Sequence, residues 1–229
     1  MKTILITGAN GGLGTVTVKK FLDEGYRVIA VDAKDDRLTF AKNNERFELH
    51  TANLGEEAAA NAFAEEMIAK HGTIDGALLL VGGFAMGGID KTGGEELQKM
   101  YALNFETAYH VARPLFAHMM KNKYGRLVFM GARPALIAEA GKGLLAYALS
   151  KSLLFKLAEL LNAQAKETNV VASVVVPSII DTKPNRDSMP DADPANWVSP
   201  AQIADVLEFI CSEKGMPLRE SIYKVYNNS

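Results

Sequence analysis

Thr3-Ile4-Leu5-Ile6-Thr7-Gly8-Ala9-Asn10-Gly11-Gly12-Leu13-Gly14 leads directly into a helical run over residues 15–24. Residues 3–7 are β-branched or apolar throughout, too few for a helix and rich in strand formers. Gly8, Gly11, Gly12 and Gly14 follow at once, and Leu13, Val16, Phe21 and Leu22 then recur at helical spacing. Gly25 stands where a helix-ending glycine belongs. The unit reads strand, glycine turn, helix. Such a turn lets a ligand approach the backbone because no Cβ intervenes, and the helix N-terminus behind it offers N–H groups and a positive dipole end to a pyrophosphate. A second strand at 27–31 ends in Asp32, where a dinucleotide fold places the carboxylate for the adenosine ribose hydroxyls. A plain βαβ unit with an acid in a turn would carry the same glycines, but the strand, turn, helix, strand, acid order favours the dinucleotide.

The 229 residues suit one α/β domain spanning 1–229, and 48% hydrophobic content is enough to fill its core. A formal net charge of −2 gives no bulk attraction to nucleic acid or an anionic membrane, so a small-molecule substrate is expected. Cys211 is the sole cysteine and excludes an intrachain disulfide; its expected place is a small buried apolar site. A strand that begins after Lys2 leaves no room for a signal peptide, and the longest apolar run, 170–176, is too short to span a bilayer. These features predict a soluble cytoplasmic protein without a metal site; His71 is read as a helix-end residue facing the dipole, not as a ligand.

Further strands are predicted at 47–51, 76–81, 126–130, 170–176 and 221–226. Helices are predicted at 36–42, 56–71, 143–165 and 199–213, and over a long stretch from a Thr92/Glu95 capping box to about 122, with a bend at Pro114. Strands and helices alternate, which gives a single Rossmann-type, doubly wound parallel α/β sheet of about seven strands, order 3-2-1-4-5-6-7, with helices on both faces. The Pro- and Asp-rich connection 177–198 is too long for an ordinary loop and reads as a lid.

Thr7-Gly8-x-x-x-Gly12-x-Gly14 resembles the glycine signature of the short-chain dehydrogenase/reductase family, and Tyr147-Ala148-Leu149-Ser150-Lys151 matches that family's Tyr-x-x-x-Lys pair. The two side chains lie on one helix face, four residues apart. The resemblance covers the whole chain and implies an oxidoreductase that uses NAD or NADP. It implies cofactor contacts from Gly8, Asn10, Gly11, Gly12, Leu13, Gly14 and Asp32. Asn53 and Leu54 would lie at the adenine, where family members often carry an acid in place of Asn53. Gly82 and Gly83 would lie at the ribose, in place of the usual Asn-Asn-Ala-Gly. Tyr147 and Lys151 would also touch the cofactor, and Pro177, Ile179 and Thr182 would approach the carboxamide, with Ser178 replacing a family glycine. Asp32 favours NADH because it repels a 2′-phosphate; Lys34 and Arg37 leave NADP open. The family also implies a homodimer or homotetramer formed through the two long helices.

Catalysis would rest on Tyr147, Lys151 and Asn104. A free tyrosine has a pKa of about 10, and a nearby ammonium together with the nicotinamide cation would lower it. Tyr147 would then serve as general acid in reduction or base in oxidation. Asn104 would hold a water of the proton relay, or would be only a solvated or back-bonded residue. The family's serine is missing: no Ser or Thr lies between Met130 and Tyr147, and Ala132 takes its place. A donor to a developing alkoxide is worth about 3–4 kcal/mol. A substrate that builds no alkoxide need not lose it, and dihydropteridine reductase-like members of the family lack this serine and reduce a quinonoid pterin. The lid residues Thr182, Asn185, Arg186, Met189, Pro190, Ala192, Asp193 and Trp197 are similar to that branch. Trp197 reads as a lid anchor, and Arg186 either contacts substrate or is solvated. The alternatives are a carbonyl reductase or alcohol dehydrogenase with another donor, and a non-catalytic dinucleotide-binding regulatory protein.

Overall fold

The computed structural model describes residues 1–34, 36–219 and 222–228. Strand β1 (Thr3–Thr7) leads through the glycine turn into α1 (Gly12–Asp23), and β2 (Arg27–Asp32) returns beside it. There follow β3 (Phe47–Thr51), α2 (Glu57–His71), β4 (Gly76–Leu79), α3 (Gly94–Tyr101), α4 (Thr107–Asn122) and β5 (Tyr124–Met130). The short helix α5 (Ala138–Gly141) precedes α6 (Leu145–Gln164), β6 (Asn169–Pro177), α7 (Lys183–Ser188), α8 (Pro200–Cys211) and β7 (Ile222–Val225). The seven strands form one sheet in the order β3-β2-β1-β4-β5-β6-β7, all pairings parallel, as expected. Ser221, at the expected start of the last strand, lies outside the described residues.

Both faces of the sheet are covered, which is why its strands carry near-continuous apolar runs. On one face Phe63 and Met67 of α2, Val111 and Leu115 of α4, and Leu154 and Phe155 of α6 form one core. On the other, Val18 and Phe21 of α1 pack with Ile203, Leu207 and Ile210 of α8. Cys211 is buried in that second core, and burial pushes its thiol up to about 12, so it is an inert packing residue. Arg126 was expected only to open a strand; it is wholly buried and donates to the carbonyls of Gly125, Asn169 and Met216. His71 bridges Glu48 and Arg27 at 3.3 Å each, and among the described residues no group of side chains could hold a metal. Nor, among them, is any helix long and apolar enough to cross a membrane.

Several local expectations fail for identifiable reasons. Residues 36–42 form no α-helix, only a 3₁₀ turn at Thr39–Ala41, because Asp36 and the Arg37 N–H are taken by Asn10. Strand β4 stops at Leu79, since the Leu80 N–H turns to the Thr7 hydroxyl (3.1 Å). No capping box forms at Thr92: its hydroxyl donates to the Gly88 carbonyl, and α3 begins after Gly93 without a side-chain cap. The capping box at Ser199 and Gln202 does form. The long helix to Asn122 is broken at Ala102–Glu106 by a π-turn, ahead of Pro114. Such turns are often found at functional sites, and this one carries Asn104.

The connection 177–198 is not structureless. It holds α7 and a 3₁₀ turn at Pro194–Asn196, and its ends are joined by a parallel bridge between Ile180 and Val198. Trp197 is only 4% exposed and its carbonyl accepts from Asn227, so it anchors the segment. Arg186 is solvent-exposed and makes a two-pronged pair with Asp181.

Candidate active site

The C-terminal ends of the parallel strands bring the glycine turn, the loop after β4, the end of β5, the start of α6 and the segment after β6 to one edge of the sheet. At the turn, the Gly11 N–H bonds the Gly8 carbonyl at 3.1 Å, and Gly12 opens α1. A Cβ on Gly14 would lie 2.1 Å from the Gly8 oxygen, so the turn closes only because that residue has no side chain. No side chain caps α1. Its first N–H groups are therefore open to an anion, which fits a dinucleotide pyrophosphate. Leu13 leans into the second core. From the other side Thr182 approaches Gly12, 3.3 Å from where a Cβ would stand.

Asp32 closes β2 with both carboxylate oxygens engaged, one by the Asn10 N–H (2.9 Å) and one by the Ala33 N–H (2.7 Å). Asn10 is nearly buried, and its amide serves the 36–37 segment. Asn53 faces solvent and uses its amide within its own turn, to Glu56 and the Gly55 N–H. Leu54 points into the core, and its carbonyl accepts from His110 Nδ1 at 3.1 Å, which fixes the proton on that nitrogen. Pro177 ends β6 beside Val225, and the Ile179 carbonyl accepts from Val198 at 2.9 Å.

Gly82 and Gly83 follow β4. A Cβ on Gly82 would lie 2.8 Å from Asn104 Oδ1 and 2.9 Å from Lys151 Nζ, and one on Gly83 would lie 2.4 Å from Leu103. The π-turn thus presses directly against this loop, and a side chain on either glycine would have to displace Asn104, Lys151 or Leu103. Asn104 is fully buried; its Oδ1 accepts from the Gly83 N–H (2.8 Å) and its Nδ2 donates to Ser150 Oγ (3.0 Å). Ser150 in turn donates to the Tyr147 carbonyl. Asn104 is neither solvated nor free: its side chain ties the β4 loop to α6.

Tyr147 and Lys151 lie one turn apart on α6, as read from the sequence. Among the described residues the Tyr147 hydroxyl has no hydrogen-bond partner, while its ring meets Phe84 edge-on at 5.1 Å. Burial alone pushes the Tyr147 phenol up to about 12. Lys151 is buried, its Nζ rests on the Met130 carbonyl at 2.8 Å, and burial brings its ammonium down to about 8. The lowering expected from Lys151 together with the nicotinamide cation is not present in the protein by itself, where desolvation is the one cause acting on the phenol.

Ala132 is buried just past the end of β5 and brings no hydroxyl to the site. Ser150 is committed to Asn104 and the Tyr147 carbonyl, and Arg133 lies over the Tyr226 ring at 5.3 Å. The loop beyond Ala132 is tied down by the Gly87 N–H on the Gly143 carbonyl and the Leu145 N–H on the Gly87 carbonyl, each 2.8 Å. The sequence reading assigned no role to Ser150, Phe84 or Asp36. Ser150 could have been found from its place three residues after Tyr147 on the same helix; the other two carry no local signal.

A family model described as short chain dehydrogenase matches residues 2–193. The chain is 26% identical to acetoacetyl-CoA reductase of Acinetobacter sp. (strain RA3849), across 93% of this chain and 92% of that one. It is 27% identical to the 3-oxoacyl-[acyl-carrier-protein] reductase MabA of Mycobacterium tuberculosis (strain H37Rv), across 93% of this chain and 86% of that one. A crystal structure of an oxidoreductase of the short chain dehydrogenase/reductase family from Burkholderia thailandensis superposes with a TM-score of 0.86 at 21% identity, covering 99% of this chain and 91% of that one. The fold, the glycine turn, the Tyr147/Lys151 pair and the family match agree: this chain belongs to the short-chain dehydrogenase family of oxidoreductases.

Proposed function

We propose that the protein is an NADH-dependent reductase whose substrate takes up a hydride without building an alkoxide, a quinonoid, pterin-like ring being the substrate class. The observation that carries this reading is Ala132. Its site has no hydroxyl, and Asn104 and Ser150, which could have replaced one, are bonded to each other, to the Gly83 N–H and to the Tyr147 carbonyl, while Arg133 lies over the Tyr226 ring and keeps a buried Nε–H without a partner among the described residues. A ketone reductase without that donor would forgo about 3–4 kcal/mol of transition-state stabilisation. Phe84, 60% exposed and edge-on to Tyr147, gives the cleft an aromatic wall suited to a flat ring.

The bound nicotinamide supplies the hydride. Tyr147 holds the proton to be delivered: a phenol pushed up to about 12 is protonated at neutral pH, as a general acid for reduction must be. Lys151 binds the nicotinamide ribose and adds positive charge beneath the phenol. Asn104 positions both halves of the cleft through Gly83 and Ser150. Asp32 selects NADH, and the backbone of Gly8–Gly14 with Thr182 cradles the cofactor. The protein self-associates as a homodimer or homotetramer through the apolar face where Leu97 and Tyr101 of α3 meet Leu149 and Leu153 of α6.

A second reading is favoured by the relatives' names, which specify ketoacyl thioesters as substrates. NADH oxidation measured with quinonoid dihydropterin, acetoacetyl-CoA and a panel of simple ketones separates the two. Fast turnover of the pterin and slow turnover of the others is the expected result. Faster reduction of acetoacetyl-CoA would transfer the assignment to the thioesters. Turnover of none, with NADH binding intact, would indicate a dinucleotide-binding regulatory protein.

A further inference from the structure

The exit from β2 holds a second carboxylate that neither the glycine signature nor the acid at the strand end accounts for. Asn10 sits inside the glycine turn, only 7% exposed, with its backbone N–H and both ends of its side-chain amide used. Its backbone N–H goes to Asp32, its Nδ2 donates to Asp36 Oδ1, and its Oδ1 accepts from the Arg37 N–H at 2.7 Å. One residue therefore holds Asp32 through its main chain and Asp36 through its side chain. The segment after β2 is folded back over the turn instead of continuing into the helix its sequence suggests.

Asp36 is an anion at every physiological pH. The Asn10 amide holds its carboxyl below the usual carboxylate range, helped by its own backbone N–H and by the positive charges of Arg37 and Lys34. Lys34 and Arg37 are the basic residues next to the adenosine end, and both lie close enough to Asp36 to act on it. Among the described residues, a 2′-phosphate arriving there would meet two carboxylates, Asp32 and Asp36, both held in place by Asn10.

We propose that Asp36, latched by Asn10, is a second cofactor-selectivity residue that works with Asp32 to exclude 2′-phosphorylated dinucleotides. The inference rests on the placement of the adenosine ribose at Asp32 in the proposed function. It differs from that reading in assigning selectivity to a residue that only the folded chain brings to the site.

Asp36→Asn is the informative variant, because its amide oxygen can still accept from Asn10 while the charge is gone. Dissociation constants for NADH and NADPH are measured by calorimetry for the parent, Asp36→Asn and Asp32→Asn, each at low and at high salt. Removing one of two like charges at this range should tighten NADPH roughly 5- to 10-fold in Asp36→Asn while NADH moves less than about twofold, and the gain should shrink as salt rises. An unchanged NADPH-to-NADH ratio in Asp36→Asn overturns the proposal. So does equal tightening of both dinucleotides, because the charge would then act on the shared pyrophosphate. The parent's own ratio tests the NADH assignment separately: a parent that prefers NADPH refutes that assignment, while a further gain in Asp36→Asn would still establish the Asp36 effect. Matching melting temperatures for parent and variant confirm that the latch survives.

Discussion

The adenosine end and the chemical end of the cleft are built on opposite plans. At the adenosine end the polar side chains are already occupied: Asp32 by two backbone N–H groups, Asn10 by Asp36 and Arg37, Asn53 by its own turn. What remains open there is backbone, at the uncapped start of α1. At the chemical end the backbone is occupied and the side chains wait. The Tyr147 hydroxyl has no partner among the described residues, and Lys151 rests on a carbonyl that a ribose hydroxyl could replace. On the proposed function, binding is prepared by the main chain, and reactivity is completed only when the cofactor arrives. A preformed anion site loses little entropy on binding, whereas a buried phenol without a partner and an ammonium held by a single carbonyl favour whatever pairs them further.

Tyr147→Phe should break the comparison most visibly. It keeps the ring against Phe84 and removes the proton, so kcat should fall by about 10²–10⁴-fold while NADH affinity stays within about twofold. Stopped-flow hydride transfer and a fluorescence titration on the same sample check both halves. An unchanged rate would mean that the proton comes from solvent.

Lys151 offers a test through stability. Burial brings its pKa in the folded chain to about 8, below the ordinary lysine value of 10.5, so between those pH values the unfolded chain binds more protons than the folded one. Its contribution therefore rises with pH across that window, by at most on the order of 3 kcal/mol. Tyr147, raised to about 12 from 10.0, contributes with the opposite sign, but only above pH 10. Urea melts from pH 8 to 10 should show a rise in the parent that is missing in Lys151→Met. Parallel curves would mean that the lysine is already solvated.

Gly14→Ala probes the other plan. Its methyl would press on the Gly8 oxygen and Ala9 backbone, neither of which can move aside cheaply. Overpacking of this kind costs about 1–3 kcal/mol, so the melting temperature should drop and NADH affinity should weaken about tenfold. Retained affinity would show that the turn has more slack than its contacts imply.

Ala132→Ser gives the smallest change. Restoring a donor beside Tyr147 should raise the kcat/KM ratio of ketone to pterin roughly tenfold, a fraction of the 10²–10³ that deleting a donor costs in a preorganised site. A parent that reduces simple ketones quickly, with a variant no better, would show that the hydroxyl was never needed.

The parts of the molecule that repeat locally were legible in the sequence. Strand alternation, the glycine turn and the Tyr147/Lys151 spacing each depend on residues a few positions apart, and the strand order follows from the alternation together with the handedness of crossovers. What stayed hidden depends on distant partners. Nothing near Asn104 announces a π-turn, and the close approach of Leu103 and Asn104 to Gly83 and Gly82 joins positions some twenty residues apart in the chain. The failed helix at 36–42 has ordinary helical composition and loses to the Asn10 side chain. The resting place of Lys151 on Met130 could not be read from Tyr-x-x-x-Lys, since it needs β5 to lie beneath α6.

The bridge between Ile180 and Val198 has a consequence for how this chain can change over generations. With Thr182 against the glycine turn and Trp197 anchored by Asn227, both margins of the segment are clamped by contacts to the rest of the fold. Residues 183–196 then behave as an exchangeable cassette between fixed posts: drift, insertion or replacement there is felt at the mouth of the cleft and hardly at all in the sheet.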